Sequence, residues 1–180
     1  MTITFLLLLF IVALLYASVG HGGASGYLAL MAIYGFVPEV MKPTALILNL
    51  FVSLTSFLMF LKGGHFKWKL FLPFALASIP FAFLGGTISL EAHMYKKILG
   101  VLLLFPVFRF FVYPNTDDNN LKEAHFYLSL LIGATIGFLS GLIGIGGGIL
   151  LSPILLLLGW SNQKQTAAAS ALFIFVNSPM

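Results

Sequence analysis

The sequence predicts an all-α fold: a polytopic transmembrane helical bundle built from two sequence-related units, each with a glycine-broken helix, the second incomplete. Three observations carry this. Charged residues make up only 8% of the 180 and hydrophobic ones 60%, against roughly 25% charged in a soluble domain, so this chain cannot cover a water-facing surface. The charges fall in short clusters between apolar runs of about 20 residues, the length that crosses about 30 Å of hydrocarbon. And one glycine cluster, with matched apolar lengths on both sides, occurs twice.

The elements follow in order. The first apolar run, 2–19, stops at the cluster 20–26, which contains Gly20, His21, Gly22, Gly23 and Ser25; a shorter apolar stretch, 27–37, ends at Pro38 and Glu39. A second run covers 44–61 and meets the basic loop 62–69, with Lys62, Lys67 and Lys69. The third run, 70–90, holds Pro73 and Pro80, which kink a helix but are tolerated in membranes where neighbours satisfy the freed carbonyls. The fourth spans 98–113 and has Arg109 near its end, placed to snorkel to the interface. The stretch 114–123 is the most polar and reads as an exposed loop. A fifth span, 124–142, meets the second cluster, 141–148; a short stretch, 149–158, ends at Gly159 and Trp160, and a last run starts near Gln165. The first run lacks a basic leader and apolar sequence resumes after the glycines, so it reads as a span rather than a signal peptide.

A shift of 124 positions puts Gly20 on Gly144, Gly22 on Gly146, Gly23 on Gly147 and Gly35 on Gly159 without a gap. Internal duplication is a common plan for secondary transporters. The units are then a first transmembrane repeat at 1–113, a polar connection at 114–124, and the first part of a second repeat at 125–180. A complete second unit needs partners for the third and fourth spans of the first, so a fragment of a longer transporter is expected. If the stretch after each cluster is a full crossing, each unit has five crossings and the units are inverted. Lys62, Lys67, Lys69, Arg109, Lys122 and Lys164 then share one side against Lys42, Lys96 and Lys97. If it is re-entrant, the split is more even. The positive-inside rule prefers the inverted arrangement with an extracytoplasmic N-terminus.

Several chemistries are excluded or unsupported. With no Cys, disulfides, thiolate metal sites and cysteine nucleophiles cannot occur. A pI near 9.4 comes from scattered lysines in loops, without the basic stripe or aromatic platform of a nucleic-acid binder. The second glycine cluster is no dinucleotide fingerprint, because position 149 is Ile and no strand precedes it. Glu39, Glu91 and Glu123 sit at loops, so no paired carboxylates point to an intramembrane enzyme. No cofactor is called for.

The clusters themselves offer chemistry. A helix broken inside a bilayer is tolerated only where it is buried in protein or lines a wet cavity. The helix that restarts after the break presents free N–H groups and the positive end of its dipole. Two such ends converging from two units make an anion site without any arginine or lysine. The bland reading is that the glycines permit close helix packing, but that asks for glycine every fourth residue on one face. Gly20, Gly22, Gly23 and Gly26, like Gly144, Gly146, Gly147 and Gly148, lie on several faces. His21 is the one ionisable side chain in a cluster and could donate to an anion or carry a coupling proton; its counterpart is Ile145. Asn49, Ser170 and Asn177 are polar positions within spans that need a partner, either a neighbouring helix or a substrate. Thr44, Ser53, Thr55, Ser56 and Thr166 share that ambiguity.

The stretch 140–153, SGLIGIGGGILLSP, with Gly159 and the small-residue helix start 167–172, resembles the TauE/SafE sulfite exporter-like family of membrane transporters. Gly20 to Gly23 would be the degenerate copy in the first half, and Gly63, Gly64, His65, Pro73, Gly85 and Gly86 are similar to that half as well. The resemblance implies a multi-pass cell-membrane protein, in bacteria the inner membrane, exporting or importing small sulfur-containing anions such as sulfite or organosulfonates. It implies coupling to a proton or cation gradient, with one unit rocking against the other. The expected partners are the lipid bilayer and the small anion, with a homodimer left open and nucleic acid excluded. The other reading is a non-transporting assembly subunit, or an incomplete transporter requiring a partner chain.

Overall fold

A computed structural model describes residues 2–18, 22–112 and 121–179, without the side chains of residues 2, 18 and 107–112. Every regular element among them is a helix: α1 (Thr2–Ser18), α2 (Ala24–Ile33), α3 (Pro38–Lys62), α4 (Trp68–Gly86), α5 (Ala92–Val112), α6 (Phe126–Ile143), α7 (Gly148–Leu157) and α8 (Gln163–Asn177). Three of them, α3, α4 and α6, are long and apolar enough to cross a membrane, while α1, α2 and α7 are shorter apolar helices. Leu6, Leu7, Phe10, Ile11, Phe51 and Met59 are among the many large apolar side chains left exposed, as a lipid-facing surface requires.

Two helix starts differ from the sequence expectation. Charge at Glu39 and Lys42 suggested a loop, but α3 begins at Pro38, with Pro at the first position and Glu39 in the first turn. Both are favourable there: the first amides of a helix have no intrahelical partner to lose, and an acid meets the positive dipole end. Pro43 lies just inside. Likewise α5 begins at Ala92, six residues before the expected Ile98, and carries Lys96 and Lys97 in its first turns.

Contacts fix the helix directions. Ser25 Oγ donates to Tyr16 Oη (3.0 Å), and the Phe5 ring packs on Tyr34 and Phe36 (5.1 and 5.4 Å), so α1 and α2 are antiparallel. Phe60 and Gly63 at the end of α3 share a cavity with Lys164 at the start of α8. Ile174, further along α8, reaches the level of Asn49, so α3 and α8 are also antiparallel. By contrast α4 and α6 run parallel and touch backbone to backbone. Gly133 faces Phe74, Gly137 faces Ser78 and Gly141 faces Ala82, while Gly85 faces Phe138. A Cβ at Gly133 would stand 2.6 Å from the Phe74 carbonyl oxygen, closer than real side chains approach. Glycine at every fourth residue of α6 is thus a packing stripe of the kind that lets membrane helices meet closely.

Candidate functional site

The two glycine breaks meet beside the middle of α3. Its 25 residues reach roughly 37 Å at 1.5 Å each, longer than the hydrocarbon layer, and Asn49 lies near the centre of that length. Asn49 is fully buried and its carboxamide joins both breaks. Oδ1 accepts from Ala24 N, the first amide of α2 (3.0 Å), and Nδ2 donates to the carbonyl of Ile145 in the second break (3.4 Å). The space it occupies exists because both flanking residues lack a side chain. A Cβ at Gly22 would sit 2.5 Å from Asn49 Oδ1, and one at Gly146 2.8 Å from Asn49 Nδ2.

The second break is built from left-handed backbone. Gly144, Gly146 and Gly147 have φ of 82°, 72° and 75°, a region where an L side chain clashes with its own backbone. Gly144 ends α6 with its N–H on the Ser140 carbonyl (2.7 Å). The carbonyl of Ile143, freed by the break, accepts from the buried Tyr95 hydroxyl (2.7 Å). Lys42 then lies over the Tyr95 ring (5.4 Å) and against Gly144, a cation at the negative end of α6. In the first break Gly23 has φ 85° and precedes α2 as Gly147 precedes α7. Ser56 Oγ donates to the Ala17 carbonyl at the end of α1 (3.3 Å).

The start of α2 and Ile149 of α7 line a small cavity of about 10 Å³, together with Tyr16, Gly22, Gly23, Ile145 and Ile174. That is room for about one water. Beside it Tyr27 folds back over Gly23, fully buried, with a hydroxyl that has no partner among the described residues.

The structure therefore brings Gly22, Gly23, Ser25, Asn49 and Gly146 together, with Gly144, Gly147 and Gly148 forming the second break next to them. Gly147 and Gly148 pack on Phe173 and Ile174 of α8 rather than facing the cavity. Ser170 bonds Ser152 (2.8 Å) in the α7–α8 seam. Asn177 donates to Ser78 Oγ of α4 (3.1 Å) and to the Phe173 carbonyl (2.8 Å), and its Oδ1 is a buried acceptor with no partner among the described residues. Neither Ser170 nor Asn177 lines the central cavity. Gly20 and His21 lie outside the described residues. Sequence reasoning passed over Tyr16, Tyr27, Lys42, Tyr95 and Ser78; only Lys42 and the tyrosines carried a signal, as polar groups flanking the glycine-broken segments.

A multi-helix membrane fold with two glycine breaks meeting near mid-span follows a plan common among membrane transporters. The chain belongs to the sulfite exporter TauE/SafE family, whose model matches residues 5–180. It is 40% identical over 173 residues to a probable membrane transporter protein of Sinorhizobium fredii, covering 94% of this chain and 70% of that one. Similarity extends to a probable membrane transporter protein of Methanocaldococcus jannaschii (28% identical; 88% and 62% of the two chains) and to another of Bacillus subtilis (26%; 78% and 59%). The chain thus spans from 59% to 70% of the length of these relatives. No solved structure matches it.

Proposed function

We propose that the chain is part of a secondary transporter for small sulfur-containing anions such as sulfite or organosulfonates, and that the anion binds where the two glycine breaks meet. The observation that carries this is the Asn49 carboxamide, bonded to Ala24 N of one break and to Ile145 O of the other. It holds the start of α2 beside the break that precedes α7 near mid-span, and in this reading the positive ends of the two helices attract the anion. Tyr27, with its buried unpartnered hydroxyl, adds a donor beside the α2 end. Gly20, Gly22, Gly23, Gly144, Gly146, Gly147 and Gly148 supply the backbone, and Ser25 and Asn49 the polar side chains. Ser170 and Asn177 support the second break, and His21 takes or gives the coupling proton. A sulfur oxyanion is larger than one water, so Ile149 and Ile174 must part to admit it.

The units 1–113 and 125–180, joined by 114–124, are read as inverted repeats. In support, α2 and α7 each have ten residues and both of their ends differ by 124. Gly35 (φ 79°) and Gly159 (φ 66°) turn the chain after them alike. The antiparallel course of α3 and α8, the third helix of each unit, is what inversion demands.

Uptake or efflux of labelled sulfite in vesicles tests the reading. Gly22→Leu and Gly146→Leu, each driving a side chain into the Asn49 carboxamide, should reduce transport at least tenfold at normal membrane abundance. Unchanged transport in both variants would refute the site.

A further inference from the structure

At the end of the bundle where α4 begins, three connections converge: the α3–α4 loop, the segment ahead of α6, and the α7–α8 turn. The Lys122 amide donates to the Gly159 carbonyl (2.8 Å), tying the second to the third. Between them lies a cavity of about 400 Å³, lined by Lys67, Lys69, Lys122, Glu123, Leu70 and Trp160, with Leu121 and Ala124 completing it. This is the size of a ligand pocket, and it is far from the glycine breaks.

Its wall is divided by chemistry. Leu70 and Trp160 are buried and form an apolar floor, with Trp160 packed on Phe74 of α4 (ring centroids 6.2 Å). The three lysines are exposed at its rim, and three ammonium groups against one carboxylate leave an excess of two positive charges. Trp68, 63% exposed, stands at the same level, and tryptophan marks the boundary between hydrocarbon and head groups. A pocket that is basic above, apolar below and set at that boundary matches a lipid phosphate with its glycerol backbone better than a freely soluble anion. We propose that it binds the phosphate of an acidic phospholipid such as phosphatidylglycerol. The lysines hold the phosphate, Glu123 accepts from a head-group hydroxyl, and the acyl chains descend past Leu70. Because Gly159 and Trp160 follow α7, which starts at the second break, the bound lipid would brace that helix.

The protein has two tryptophans, and both are here. In a Trp68→Phe variant Trp160 alone reports on the pocket. In phosphatidylcholine vesicles its fluorescence should be quenched by head-group spin-labelled phosphatidylglycerol at a much lower mole fraction than by the phosphatidylcholine analogue. A lysine near a membrane surface contributes about fivefold to acidic-lipid binding. Adding Lys67→Gln, Lys69→Gln and Lys122→Gln should then raise the half-quenching fraction about 100-fold, while Lys96→Gln with Lys97→Gln at the other end leaves it unchanged. An unaltered thermal transition in phosphatidylcholine checks that the triple variant is folded. Equal quenching by both lipids, no effect of the triple variant, or displacement by inorganic phosphate would each overturn the proposal, the last by showing a free-anion site.

Discussion

Replacing Asn49 by Ala removes the one side chain that bonds both glycine breaks, and its cost can be worked from the geometry. The first amides of a helix have no intrahelical partner, so Ala24 N depends on Asn49 Oδ1 (3.0 Å) in a site that is fully buried. Leaving such a donor unsatisfied costs about 1–3 kcal/mol. The second bond, 3.4 Å long, is beyond the usual N–H···O range and adds little. About 2 kcal/mol is therefore expected, roughly a 30-fold rise in the open population at 1.4 kcal/mol per decade. Amide hydrogen exchange reads this directly. The Ala24 amide should lose about 30-fold of protection in Asn49→Ala, while amides of α4 and α6 keep theirs. Asn49→Asp, which retains the acceptor, should protect Ala24 better than Ala does. If Ala24 exchange is unchanged in a folded Asn49→Ala protein, the carboxamide does not hold the breaks together and the proposed site loses its frame.

Two further outcomes follow from packing and capping. Gly137→Ala and Gly141→Ala place a methyl group on the backbone of α4 and should each lower stability by about 1–3 kcal/mol. Gly100→Ala, with open space around its Cβ position, should raise it by up to about 1 kcal/mol; thermal unfolding in detergent separates the two classes. Tyr95→Phe strands the Ile143 carbonyl and should cost about 1 kcal/mol in the same assay, with faster exchange at Gly144 and Ile145.

The sequence made the breaks legible because their cause is local. Glycine clusters interrupt apolar runs, and the helices restart at Ala24 and Gly148 beside glycines with positive φ. What Asn49 does was not legible, since its partners lie 25 and 96 residues away and nothing in a single sequence says which polar group in a span meets which backbone. The same holds for Asn177, expected at the site and found bonded to Ser78 of α4. The Gly133, Gly137 and Gly141 stripe has the spacing that a packing face requires, but Gly141 also opens the second cluster, so in the sequence the stripe merges with the break. The start of α3 was missed for the opposite reason: Glu39 and Lys42 looked like a loop, yet a helix entering a membrane tolerates charge in its first turns.

The glycine seam of α4 and α6 decides which parts of this molecule can shift. Two helices whose main chains touch have no side-chain layer between them to yield, so they behave as a single stiff strut. That strut takes one member from each half of the sequence. The halves are therefore joined along it by direct backbone contact. Between α3 and α8 the glycines of the two breaks close instead on side chains, Gly22 and Gly146 both meeting Asn49 and Ile174. The seam and the breaks are thus held differently, one by main chain against main chain and the other by side chains seated between glycines.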